Sequence, residues 1–78
     1  FQQYQIELSK AKKELTDVKI EIGTYLTQIA NYANPFIGDD FEQIKTNEIK
    51  ICCKNLENAK EKAIELSKKI KSIERELS

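Results

Sequence analysis

The sequence contains no histidine, no tryptophan and no methionine, and it has only one proline and two glycines. Without histidine, the chain lacks the commonest metal ligand and the commonest general base of enzymes. It also has no glycine-rich phosphate loop and no nucleophile motif. We therefore expect no catalytic residue, no metal site, no cofactor and no small-molecule ligand, which argues against an enzyme.

Two further absences concern partners and location. The thirteen basic and thirteen acidic residues cancel, so no net field attracts nucleic acid. No apolar run approaches the ~18 residues of a membrane span, and no signal peptide is recognisable. The sequence thus predicts neither nucleic-acid binding nor a membrane span. Because the chain begins at Phe1 without any methionine, we expect it to be a trimmed or excised segment.

The only cysteines, Cys52 and Cys53, are adjacent in the sequence. They therefore form neither a Cys-x-x-Cys pair nor a disulfide framework, and they leave the compartment and redox state open. Neighbouring residues of a helix point about 100° apart, and only Cys52 falls on the apolar face described next. We predict that Cys52 is a small, buried apolar residue.

Apolar residues recur at alternating spacings of three and four along both halves of the chain, from Phe1 to Tyr32 and from Ile49 to Leu77. This spacing is the heptad pattern of coiled coils, and the high content of Lys, Glu, Ile and Leu is typical of long helices. We call the two apolar stripes the seams. The predicted hairpin core consists of Leu8, Ala11, Leu15, Val18, Ile22, Tyr25, Ile29, Ile49, Cys52, Leu56, Ala59, Ala63, Leu66, Ile70 and Ile73.

Between the seams, the sequence carries helix stop, turn and helix start signals in that order. Pro35 disfavours helix at the residue before it, and Gly38 can adopt a positive φ at little steric cost. Asp39 and Glu42 match an Asp-x-x-Glu capping box for a second helix. The predicted elements are a first helix at about 2–33, a turn at 34–39 and a second helix at about 40–77.

The two seams match when the chain folds back at this turn, because facing residue numbers then sum to about 77. Several layers set a large residue against a small one, as Leu15 against Ala63, which favours close packing. On one flank Glu14 can face Lys62, whereas on the other Lys19 against Lys60 is a like-charge conflict. The predicted fold is all-α, an antiparallel, coiled-coil-like two-helix hairpin forming a single domain.

Such a hairpin alone buries little apolar area relative to the entropy cost of ordering it. We therefore expect it to be completed into a four-helix bundle, either by a second copy of itself or by another helical protein. The apolar face near the turn is wider than a two-helix contact needs, which indicates an additional neighbour. The residues expected to bind that partner are Phe36, Ile37, Gly38, Phe41 and Ile44.

Gly23 interrupts the first helix and leaves two interpretations open. It is either a tolerated surface glycine, at a cost of about 1 kcal/mol relative to alanine, or a point of close approach by a neighbouring helix.

The turn sequence Phe36-Ile37-Gly38 resembles the Trp-x-Gly motif between the two helices of small type VII secretion proteins. The equal arms also look similar to the accessory hairpins that accompany Leu-x-Gly toxins. That resemblance implies a small partner that binds a toxin's helical N-terminal region and targets it for export, in the cytoplasm before secretion. Phenylalanine replaces the tryptophan here, and no Tyr-x-x-x-Asp/Glu signal follows the second helix.

Two alternatives accompany this hypothesis. The chain could be a structural hairpin excised from a larger cytoskeletal, tethering or viral coiled-coil protein, in which case Phe36 and Ile37 cap the end of the bundle. It could also be the helical arm of a nucleic-acid enzyme, which the balanced charge disfavours.

Overall fold

The computed structural model describes residues 2–33 and 38–78. Residues 34–37 of the predicted turn, which include Pro35 and the predicted partner-binding residues Phe36 and Ile37, lie outside the described residues. The described part is helical and contains no strand, which confirms the all-α class. Its elements are the α-helix α1 over Gln2–Tyr32, a short 3₁₀ helix over Phe41–Gln43, and the α-helix α2 over Thr46–Leu77.

The helices α1 and α2 pack against each other in antiparallel order. One cluster joins Ala11 and Val18 of α1 to Ala59, Leu66 and Ile70 of α2, so the early part of α1 contacts the later part of α2. Near the other end, the Cys52 thiol lies 3.4 Å from the Gln28 amide oxygen. The molecule measures 63 × 14 × 14 Å, whereas a single helix of this length would extend for roughly 115 Å.

The seams form the contact between the two helices. Every residue of the predicted hairpin core is buried or half-buried. Small and β-branched residues are the most enclosed, and both Ala11 and Val18 are only 2% exposed. Larger seam residues such as Leu8 and Leu15 remain half-buried, because a pair of helices leaves both edges of its interface open to solvent.

The second α-helix begins at Thr46 rather than near residue 40, so the predicted helix start needs correction. Its N-cap is Lys45, which makes no side-chain capping bond, and the Asp39 capping box does not open an α-helix. Residues 38–48 are all exposed. Most helix stability in proteins comes from packing of an apolar face, and the first half-buried residue of the second seam is Ile49. The capping signal at Asp39 was therefore insufficient to start an α-helix near residue 40.

The two glycines occupy different backbone environments. Gly38 has φ 129°, a conformation that side-chain-bearing residues rarely adopt, which agrees with the predicted role. Gly23 lies within α1, and a Cβ atom added there would meet nothing within 4 Å. Within this chain, Gly23 is therefore a surface glycine and not a point of close helix approach.

Alanine substitutions at these two glycines should change stability in opposite directions. Gly23→Ala removes the helix-propensity penalty, so we expect the free energy of unfolding to rise by about 1 kcal/mol. Gly38→Ala imposes a strained backbone, so we expect a loss of about 1–3 kcal/mol. Urea denaturation followed by circular dichroism measures both changes. Equal shifts of the same sign in the two variants would contradict these backbone assignments.

Candidate partner-binding surface

The buried residues are distributed unevenly along the hairpin. The main cluster lies in the half that holds the chain ends, between Ala11 and Val18 on α1 and around Leu66 on α2. Between Lys19 and Ile51, none of the residues that the structure describes is buried. The turn half is held together mainly by half-buried seam residues and by Cys52, so it offers apolar surface that the described part of the chain does not cover.

Large apolar side chains are exposed in this same half. Leu26 is 52% exposed, Phe41 67%, Ile44 43% and Ile51 61%. We call these four residues the turn-end surface. Phe41 and Ile44 were predicted to bind a partner, and Gly38, also predicted, is exposed beside them. Their exposure is what such a role requires.

Leu26 and Ile51 belong to the turn-end surface but were absent from the predicted site. Leu26 directly follows the seam residue Tyr25, and Ile51 directly precedes the seam residue Cys52. An apolar residue beside a seam widens the apolar face of its helix beyond what one neighbouring helix covers. That pattern could have identified both residues from the sequence.

Local hydrogen bonds fix the backbone that carries Phe41 and Ile44. The Ile44 N–H donates to the Phe41 carbonyl at 3.2 Å, and the Thr46 N–H donates to the Ile44 carbonyl at 3.0 Å. The Gln43 side-chain amide donates to an Asp40 carboxylate oxygen at 3.0 Å. The segment therefore satisfies part of its own backbone while its apolar side chains remain on the surface.

The polar groups of this end lie in water. Asp39, Asp40 and Glu42 are all exposed, and the described residues include no buried polar or charged side chain. Across residues 2–33 and 38–78, no three His, Cys, Asp or Glu side chains are grouped so that they could hold a metal ion. What this surface offers a ligand is apolar contact area with exposed charged side chains of both signs around it, since Lys45 and Lys50 are exposed as well.

The two cysteines behave differently, as their positions on the helix predict. Cys52 is buried, and its thiol donates to the Gln28 amide oxygen, whereas Cys53 is exposed. Both are free thiols. Cys52 is thus a packing residue of the seam, which confirms the prediction, and it marks the boundary between the covered core and the turn-end surface.

Neither described helix combines the length and the apolar character that a bilayer crossing requires.

Comparison with known proteins gives no match. No protein-family model matches this chain, and no curated protein and no solved structure was found to be similar to it. The fold and its surface are therefore interpreted from their own chemistry.

Proposed function

We propose that this chain is a non-enzymatic interaction module that uses its turn end to bind helices of another protein or of a second copy of itself. The supporting observation is that Leu26, Phe41, Ile44 and Ile51 are exposed close to the turn, where the described residues from Lys19 to Ile51 include no buried one. Exposed large apolar residues also occur on the rest of the hairpin, at Tyr4, Ile6, Ile20 and Ile64. Covering apolar surface gains about 25 cal/mol per Å². A third and fourth helix would complete a four-helix bundle and supply that cover.

The more specific form of the proposal is a small partner that targets a type VII secretion toxin for export. Its support is the resemblance of Phe36-Ile37-Gly38 to the Trp-x-Gly turn, together with two helices of nearly equal length, 31 and 32 residues. The positive φ of Gly38 is consistent with glycine at that position of the motif. In this role Phe36, Ile37 and Gly38 would contact the toxin together with Phe41 and Ile44.

Sedimentation of matched double variants tests the binding role of the turn end. Ile44→Ser/Ile51→Ser removes apolar area from the turn-end surface, and Ile6→Ser/Ile20→Ser removes comparable exposed area from the outer face of α1. We expect the native chain to self-associate, or to bind its helical partner, at micromolar concentration. The turn-end variant should weaken that association about tenfold or more, equivalent to about 1.4 kcal/mol, and the control should not.

A stable monomer that binds no helical partner would contradict the proposal, and so would an equal loss in the two double variants. The secretion hypothesis has its own test. A neighbouring gene that encodes a toxin with a helical N-terminus should supply the partner, and Phe36→Ala should reduce its capture. Unchanged capture would assign Phe36 to capping alone and would favour a structural hairpin of a larger coiled-coil protein.

A further inference from the structure

An apolar groove runs along one edge of the hairpin, between α1 and α2. Its floor is formed by Leu15 and Ile22 of α1 and by Ala63 and Ile64 of α2. The first three are half-buried seam residues, and Ile64 is 45% exposed. The groove has a volume of about 420 Å³, and the α2 residues that line it span roughly 16 Å, or three helical turns.

Only basic side chains carry charge on the rim of this groove. Lys19 of α1 and Lys60, Lys68 and Lys71 of α2 line it, and no carboxylate does so among the described lining residues. The like-charge conflict between Lys19 and Lys60, predicted from the sequence, therefore falls at the margin of an open apolar surface. Four lysines around an apolar floor repel one another and favour a negatively charged occupant.

The opposite flank of the seam has a different charge pattern. Glu7, Glu14 and Glu21 recur every seven residues on α1, and Lys62 and Lys69 do so on α2. Residues seven apart lie on the same face of a helix, so Glu7 and Glu14 can each face a lysine of α2, Lys69 and Lys62. This flank therefore carries charges of both signs, whereas only basic side chains carry charge around the groove.

We infer that the groove binds an acidic amphipathic helix of a partner protein, with an apolar stripe on the floor and carboxylates facing the lysine rim. A groove between two packed helices is the position that a third helix takes in a bundle. This inference rests on the proposed function and specifies the chemistry of the partner. A second copy placed symmetrically on the same edge would bring its four lysines against these four, which disfavours self-association here.

The apolar floor distinguishes this occupant from nucleic acid. Single-stranded nucleic acid is bound through basic grooves that also provide aromatic side chains for base stacking. The described lining of this groove contains no aromatic residue. Aliphatic floors flanked by charges are instead typical of helix-in-groove recognition.

The test measures peptide binding to the full chain by fluorescence anisotropy. One probe is a designed amphipathic helix with a leucine stripe flanked by glutamates, and the other has lysine at every glutamate position. We expect the native chain to prefer the acidic peptide by about tenfold or more, and added salt to reduce this preference. Lys19→Glu/Lys71→Glu leaves two lysines and two glutamates on the rim and should abolish the preference.

Lys13→Glu/Lys54→Glu is the matched control. It changes the net charge equally, with one exposed lysine on each helix, but neither residue lines the groove. The control should keep the native preference, and glutamate preserves the helix propensity of lysine in both variants. Circular dichroism verifies that each variant is folded.

Three results would overturn the inference. The first is equal binding of both peptides, and the second is an equal effect of the two double variants. The third is that the native chain binds a single-stranded oligonucleotide or anionic phosphatidylserine vesicles more strongly than the acidic peptide, through the same lysines. Failure of the proposed function is recognised separately, because Ile44→Ser/Ile51→Ser alters the turn end and leaves the groove intact. If that variant loses association while the native chain shows no preference between the two peptides, the turn-end proposal is upheld and only the inference about the groove is rejected.

Discussion

Val18→Asp is expected to unfold the hairpin. Val18 is only 2% exposed and is the largest fully enclosed side chain among the described residues. It belongs to the cluster that joins α1 to α2, and no described basic side chain is buried beside it. An unpaired carboxylate at this position would lose its hydration without gaining a partner, at a cost of about 3 kcal/mol or more. A small two-helix core has little stability in reserve.

Ile20→Asp is the matched control for this substitution. Ile20 is also β-branched and lies on the same helix, but it is 64% exposed. We expect a change within about 0.5 kcal/mol there, as for most surface substitutions. Circular dichroism at increasing urea concentration measures both. A folded Val18→Asp variant, or equal destabilisation by the two substitutions, would show that the seam is not the structural core.

The core of this fold was predictable from the sequence because helix geometry alone determines it. Residues spaced alternately by three and four must share one face of a helix. Two such stripes separated by a turn can be covered by each other when the chain reverses direction. The half-buried state of Tyr25 and Ile49, near the less enclosed end, shows that the pattern also identified the seam where burial is incomplete.

The start of the second helix was less predictable because two local signals compete there. Asp39 and Glu42 favour an early start, but Thr46 and Asn47 have low helix propensity. Tertiary packing decides between such signals, but residues 38–48 are all exposed, so packing does not stabilise an early helix start there. A short 3₁₀ helix and an extended Ile44 occupy the stretch instead.

The candidate surfaces were predictable only in part. Phe41 and Ile44 were identified because they lie next to the turn and outside the seam. The groove was not, because its floor combines residues of both helices that the seam pattern assigns wholly to the core. Ile64 is the informative residue, since one exposed isoleucine adjoining Ala63 turns the edge of a coiled coil into an open apolar channel.

The distance between the two chain ends is expected to be much shorter in the hairpin than in one continuous helix. Ser9 of α1 and Ser72 of α2 are both exposed, so each can carry a spin label after substitution by cysteine in a Cys52→Ala/Cys53→Ser background. Packed helices have axes 8–10 Å apart, which predicts a label separation of roughly 20–25 Å. A continuous helix would separate these residues by roughly 95 Å.

Pulsed electron–electron double resonance measures the distance between the two spin labels. Repeating the measurement with a large excess of unlabelled chain tests directly whether the two seams pair within one molecule. We predict a short distance of roughly 20–25 Å that persists unchanged on dilution with unlabelled chain, because both labels belong to one hairpin. A separation near 95 Å, or a short distance that disappears on dilution, would show that α1 and α2 find their mates in other molecules.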